Sequence, residues 1–321
     1  MNYSTDSYAA MLLCLALSAN REEYAHPLST SEYREVCRRV KTSSARHIGG
    51  LMGVDISGLM QLLEMSEEEA YRIYTLMSRS VQLSYTMDGF TALGIRIITE
   101  FDEGYPERLS KRAGDDAPPV IYVYGSSETL NMPSIGILGM SGIKTSAEVR
   151  ASIEAIASFA KSAGYRVMAG GELGVSRVME GFVCAGDCSL TSVMAGGLSD
   201  YIARPETRRL FSEGRLSAVS LEHPEALFTV PHAIARNKML MSLAEAVFIF
   251  NTDGKRGESD ALRHKRSDWI YAWNGYPGNH PLINKGAISF GLLNEKTLND
   301  MTQLWRYSRS EQLSLFDLLD N

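Results

Sequence analysis

The stretch PHAIARNKMLMSLAEAVFIF, residues 231–250, passes from a helix into a strand with almost no linker. Ala235, Met239 and Leu243 recur at the spacing of a buried helical stripe, and Ala246 to Phe250 is a continuous apolar run of strand length. Pro231 suits the opening turn, where its missing N–H leaves nothing unsatisfied. Arg236, Asn237 and Lys238 then fall near the positive end of the helix dipole, where a purely structural design would place acids. That mismatch implies a bound anion. The bland reading is a solvated arginine, with Asn237 bonding a nearby loop.

The same texture extends outward from this unit. IRIIT, VIYVYG, SIGILG, RVMAG, LTSVMAG, LSAVS and WIYAW are further short apolar runs, rich in β-branched and aromatic residues. Helical patterns at 146–163, 174–184, 206–213, 232–243 and 258–266 lie between most of them. This alternation predicts an α/β fold, a mostly parallel sheet with helices on both faces. Residues 1–92 read as helices only, with apolar periodicity over Tyr8–Leu17, Glu32–Val40, Ser57–Leu63 and Ser66–Ser78. Ser66 with Glu69 has the spacing of a capping box. The expected organisation is a helical domain over 1–92, a sheet domain over 93–294, and a polar C-terminal helix with a tail over 295–321.

Composition narrows the function classes. With 321 residues, 45% hydrophobic and 22% charged, the chain has ample material for a large core. A formal net charge of -6 excludes a basic coat but leaves room for a local basic groove. Cys14, Cys37, Cys184 and Cys188 make no zinc pattern and fit a reducing, cytoplasmic compartment. AAMLLCLALSA, residues 9–19, lacks a basic leader and reads as a buried helix, not a signal segment. No apolar run is long enough to span a bilayer.

In an open α/β sheet, ligands bind beyond the carboxyl ends of strands, where the winding reverses. GILGMSGIKTSAEV, residues 136–149, ends a strand at Gly139, turns through Ser141 and Gly142, and caps a helix with Thr145 and Glu148. It reads either as a phosphate cradle assisted by Lys144 or as a plain tight turn. It is neither a Walker loop nor a full GxGxxG. In MAGGELGVSRVMEGF, residues 168–182, Gly170 and Gly171 permit a sharp turn and Gly174 opens the next helix. Close helix–sheet packing explains those glycines as well as ligand contact does. Lys255 and Arg256 sit in a Gly-bounded loop after a strand, in reach of the same crevice, while Arg263, Lys265 and Arg266 read as a solvated helix face. Lys285 fits either a ligand or a surface role, and His280 reads as a surface residue. Glu258 and Asp260 read as helix-start capping groups. No arrangement for hydrolysis, metal binding or a cofactor stands out.

Taken in order, FDEGYPERL, APPVIYVYG, SIGILGMSG, RVMAGGELGV, HAIARNKMLMSLAEAVFIF and GNHPLINKGA resemble the DprA/Smf family of DNA-processing proteins over about residues 95–290. The resemblance implies a helical N-terminal domain and a Rossmann-like sheet domain. It also implies single-stranded DNA bound in a basic pocket, loading of a RecA-type recombinase in natural transformation, and a homodimer. No enzymatic step is implied. Arg236, Asn237 and Lys238 fall on the family's Arg-Asn-Arg, with lysine replacing the second arginine and giving up bidentate phosphate geometry. Gly139 and Ser141 fall in its Gly-Ser-Arg loop, whose arginine is missing here. Gly174-Val175-Ser176 and Glu180 replace its Gly-Ile-Asp and histidine.

QLSLF, residues Gln312, Leu313, Ser314, Leu315 and Phe316, resembles the pentapeptide by which many bacterial proteins dock on the replicative sliding clamp. The alternative to docking is an amphipathic end packed on its own domain. A second reading of the whole chain rests on GGELGVSRVMEG, which is similar to the glycine-rich stretch of LOG-type nucleotide phosphoribohydrolases. On it, Glu258 is the catalytic carboxylate and Arg177 a phosphate ligand, although that family's Pro-Gly-Gly-x-Gly-Thr-x-x-Glu is absent.

Overall fold

A computed structural model describes residues 3–18, 25–140, 145–171, 174–186, 188–253, 258–264 and 266–305. The N-terminal segment folds as helices α1 (Thr5–Cys14), α2 (Thr30–Thr42), α3 (Ile56–Leu63), α4 (Glu67–Met77) and α5 (Ser80–Ala92). Ser66 and Glu69 form the expected reciprocal cap on α4, and Ser29 with Glu32 does the same on α2. Helix α5 escapes the sequence reading because only Leu83 and Phe90 of it are buried, too few to show a stripe. Its neighbour α1 carries the start of the apolar 9–19 run into the core, but it ends at Cys14, short of the helix expected there, and Leu15 and Leu17 are buried beyond its end.

Strand β1 (Ile95–Thr99) follows, then α6 (Glu107–Ala113), β2 (Val120–Tyr124) and β3 (Ser134–Gly139). The chain continues as α7 (Ala147–Ala163), β4 (Arg166–Ala169), α8 (Val175–Ala185) and β5 (Leu190–Met194). Two short helices, α9 (Ser199–Ile202) and α10 (Pro205–Ser212), lead to β6 (Leu216–Ser220), and α11 (Val230–Leu243) to β7 (Ala246–Asn251). Helix α12 (Glu258–Arg263), β8 (Trp269–Trp273), α13 (His280–Asn284) and β9 (Ile288–Phe290) complete the run. The cap of α7 is Ser146, whose Oγ accepts from Val149 N, rather than the expected Thr145.

The described strands form one sheet in the order β1-β2-β6-β5-β4-β3-β7-β8-β9. From β6 to β9 every pairing is parallel, while β1–β2 and β2–β6 are antiparallel. Strands after β3 build outward on one side, and β7 returns to pair on the other side of β3, so the winding reverses between those two strands. β9 went unread in the sequence because it has three residues, two of them exposed on the sheet's edge.

Side chains alternate between two cores, as a period of two requires. Along β7, Ala246, Phe248 and Phe250 join the core beneath α7, α8 and the N-terminal helices, whereas Val247 and Ile249 join the one beneath α6, α11 and α13. The first of these cores runs unbroken from Leu13 and Leu76 to Ile97 and Tyr122. The helix over residues 295–305 is less polar than expected. It buries Leu298 and Trp305, and the Trp305 indole N–H donates to Tyr271 Oη at 2.9 Å.

One buried side chain ties β7 to its neighbour β8 at their carboxyl ends. Asn279 is fully buried; its Nδ2 donates to the carbonyls of Trp273 at 2.8 Å and Phe250 at 3.0 Å, and its Oδ1 accepts from Thr252 N at 3.0 Å. It belongs to the GNHPLINKGA stretch, whose fixed role is thus to tie the ends of β7 and β8. Asn279→Ala strands these groups in the interior and is expected to cost about 3 kcal/mol, each orphaned group contributing about 1–3 kcal/mol. Urea unfolding measures this; a loss below about 0.5 kcal/mol, the level of an ordinary surface substitution, contradicts the assignment.

Candidate functional site

The crevice opens where β3 and β7 part. Their parallel register shifts between Leu138 and Gly139, and Asn251 Oδ1 accepts from Met140 N at 2.9 Å. A Cβ on Gly139 would overlap Asn251 Oδ1 and come within 2.8 Å of Val175 Cγ2 at the start of α8. Gly174 opens that helix with φ +79°, a backbone state that glycine adopts without strain. Gly139 and Gly174 are therefore brought to the same place at the switch point. Ser141 and Lys144 lie outside the described residues, as do Lys255 and Arg256.

Helix α11 starts at Val230, capped by Thr229, so Arg236 is its seventh residue, in the middle and not the first turn. The expected conflict with the helix dipole is corrected accordingly, because that field fades beyond the first turn. What makes Arg236 unusual is its burial. It is 7% exposed and continues the stripe of Leu240 and Ala244, which face the sheet at intervals of four. A Cβ on Gly136 would sit 2.7 Å from Leu240 Cδ2, and one on Gly170 would overlap Arg236 Nη1. Arg236 Nη1 also lies 3.4 Å from the Val193 carbonyl of β5. The guanidinium thus lies across the tips of β4 and β5 in space that only a glycine leaves. Gly170 and Gly171 serve close approach; a Cβ on the latter would overlap Met194 Sδ.

The other predicted cations go elsewhere. Two positions along a helix rotate by roughly 200°, and Lys238 accordingly turns to α12, where its Nζ is 3.4 Å from Asp260 Oδ2. Lys285 Nζ lies 3.3 Å from Ser259 Oγ on the same helix. Asn237, 5% exposed, is buried beside Arg236. Arg266, expected on a solvated helix face, is instead 2% exposed and pairs with Asp116 and Asp260, because α12 ends at Arg263 and Arg266 folds back on it, its backbone N–H donating to the Ala261 carbonyl at 3.0 Å. Asp260 and Glu258 are correspondingly more than solvated caps: Asp260 serves Lys238 and Arg266, and Glu258 is 3% exposed. Arg177 is held by Glu180 at 2.6 Å and Glu206 at 3.4 Å, and the cavity it lines has no Glu258 in its described wall.

That cavity, of about 670 Å³, was missed in the sequence. It adjoins Arg236 at the tips of β4 and β5, through Gly171 and Met194, and its rim carries Phe228, 51% exposed, on the loop before α11. The only signal for it was ALFTV, an apolar run in a loop position. Among the described residues no group of His, Cys, Asp or Glu is arranged to hold a metal, and no helix is long and apolar enough to cross a membrane.

Residues 96–296 match the model of the family described as DNA recombination-mediator protein A. No curated protein sequence matches the chain. Two solved structures share the fold. DNA processing protein A (DprA) from Streptococcus pneumoniae is 17% identical with a TM-score of 0.56, covering 84% of this chain and 96% of that one. DNA processing protein A from Helicobacter pylori, described for its single-stranded DNA binding mode, is 18% identical with a TM-score of 0.51, covering 65% of this chain and 95% of that one.

Asp260 offers a test of how these cations are held. Burial pushes its carboxyl up, but the Arg266 hydrogen bond and the Lys238 charge outweigh it and hold the group below its ordinary value. A depressed carboxyl contributes stability that is present above its unfolded value, about 3.9, and lost as pH falls through the folded one. Asp260→Asn is expected to lower Tm at pH 7 and flatten its fall below about pH 4. An acid limb identical to that of the parent protein contradicts the assignment.

Proposed function

The chain belongs to the DNA recombination-mediator protein A family, and on that premise we propose that it binds single-stranded DNA across the carboxyl ends of its parallel strands, acting in DNA processing without cutting the strand. One observation carries the reading: a half-length into α11, the Arg236 guanidinium is buried over Gly170 at the tips of β4 and β5. A buried arginine has fixed orientation, and its planar fork suits phosphate oxygens. Gly139, Gly170 and Gly174 let the strand tips, the start of α8 and the Arg236 guanidinium close together beneath the path of the strand. Asn237 supports Arg236, Ser141, Lys144, Lys255 and Arg256 are assigned to the same phosphate-binding role, and Lys285, held beside Ser259 on α12, belongs to its margin. Lys238, shared with Asp260, contributes less. Phe228 gives the base-stacking surface that such sites combine with cations.

The family supports the recombinase, dimer and cytoplasmic parts of the proposal, and the separate resemblance of QLSLF to a clamp-docking pentapeptide supports the last. The bound strand is handed to a RecA-type recombinase, the chain works as a homodimer in the cytoplasm, and Gln312 to Phe316 recruit it to the sliding clamp. Short apolar anchors in a terminal segment suit docking into a partner's pocket.

Fluorescence titration with oligo-dT over a salt series tests the site. Affinity is expected to fall with salt, and Arg236→Ala to weaken binding at least about tenfold and flatten the log–log slope by about 0.7, the increment for one phosphate on a single strand. Gly170→Ala is expected to reproduce this by displacing the guanidinium, and Lys238→Ala to fall short of it. Unchanged binding by Arg236→Ala contradicts the site. Capture of purified clamp by the intact chain, lost on removal of residues 312–321, is the expected result for the tail; capture that survives truncation contradicts its role.

A further inference from the structure

The cavity beside Arg236 is chemically unlike the phosphate crevice. Asp200 stands in its wall and, among the described residues, makes no hydrogen bond or ion pair. Arg204 has no carboxylate within pairing distance among those residues and sits over the Tyr201 ring, its Cζ 4.9 Å from the centroid. The ring itself is fixed: Tyr201 Oη shares a hydrogen bond with Ser192 Oγ at 2.7 Å and donates to Glu180 Oε2 at 3.3 Å. Phe228, Leu227 and Met194 supply an apolar flank. At about 670 Å³ the space exceeds what one nucleoside needs.

These features select against a phosphate and for a neutral ring. Arg177 is already committed to Glu180 and Glu206, so the charges left in the wall, Asp200 and Arg204, are opposite in sign and give no net attraction to an incoming anion. A planar heterocycle, by contrast, stacks on a guanidinium plane and an aromatic side chain. A lone ionised carboxylate accepts only, so it prefers an edge with two adjacent N–H donors. Of the four DNA bases only guanine presents such a pair, its ring N1–H and its 2-amino group.

We propose that this cavity receives one unpaired base of the bound strand and selects guanine, with Asp200 accepting from N1–H and the 2-amino group and Arg204 stacked against the ring. The proposal deepens the single-stranded DNA reading and rests on it for the strand, though the cavity's preference for the base is a property of its own wall. Met194 follows Val193, and Gly171 follows Gly170, so a phosphate at Arg236 and its base in the cavity are served by adjacent residues of the same two strand tips.

The test compares three twelve-residue oligonucleotides with the full chain: oligo-dT, the same with one central dG, and the same with deoxyinosine, which lacks the 2-amino group. The dG oligonucleotide is expected to bind about tenfold more tightly than oligo-dT, within the range of a bidentate base contact, and deoxyinosine to lose most of that gain. D200N is expected to erase the difference between dG and dT. Equal affinity for dG and dT, or a preference that persists in D200N, overturns the proposal. Free guanosine and thymidine, followed by saturation-transfer NMR, separate the two claims. Guanosine binding that depends on Asp200 without any binding of oligo-dT upholds the cavity and removes the strand reading. Salt-dependent oligo-dT binding with no guanine preference does the reverse, and binding of neither removes both.

Discussion

Everything at the strand tips depends on how closely α11 lies on the sheet. Gly136 admits Leu240, and Gly170 admits the guanidinium of Arg236, so one helical stripe is seated at two points by missing side chains. Packing in an interior as dense as a crystal fixes such a helix to within a fraction of an ångström. The cation therefore inherits its position from the core. A surface arginine would have to be ordered on meeting any ligand, at a cost in side-chain entropy; this one is already ordered by packing.

The surrounding polar contacts serve the same end. Asn279 ties the tips of β7 and β8, and Asn251 holds the backbone where β3 leaves the sheet. Both act at the point where the winding reverses, which is where a doubly covered sheet must leave a crevice. Lys238 shows the contrast. One residue beyond Asn237, it turns to Asp260, and its charge goes into the link between α11 and α12, which also holds Arg266. The expected shared hollow of Arg236 and Lys238 thus divides into one cation buried at the tips of β4 and β5 and one paired with α12.

Much of this was legible in the sequence, for identifiable reasons. The eight apolar runs from IRIIT to WIYAW all became strands, because a strand buried on both faces must be apolar throughout. The short edge strand β9 and the weakly buried α5 lacked that signature. At the site, RNK and the glycines after β3 and β4 were visible as chemistry, but their purpose was not. Arg236 was read through a dipole argument that fails by one turn, since the helix begins at Val230. Gly170 was read as a turn former that served either ligand contact or close helix–sheet packing; the packing alternative holds, and the side chain it admits lies 66 positions later. Arg266 looked solvated because nothing local reveals Asp116 as its partner. Long-range juxtapositions of this kind have no periodic trace. The cavity beside Tyr201, assembled from loops after β4, β5 and β6, had none either.

The central claim is that a phosphate of a single strand meets the guanidinium buried over Gly170. The most direct measurement is the Nε–Hε resonance of Arg236 in the ¹⁵N-labelled chain, assigned by its loss in Arg236→Lys and followed while oligo-dT is added. The account requires that resonance to shift in step with saturation of binding. A resonance that stays fixed while the chain becomes fully bound would place the strand elsewhere.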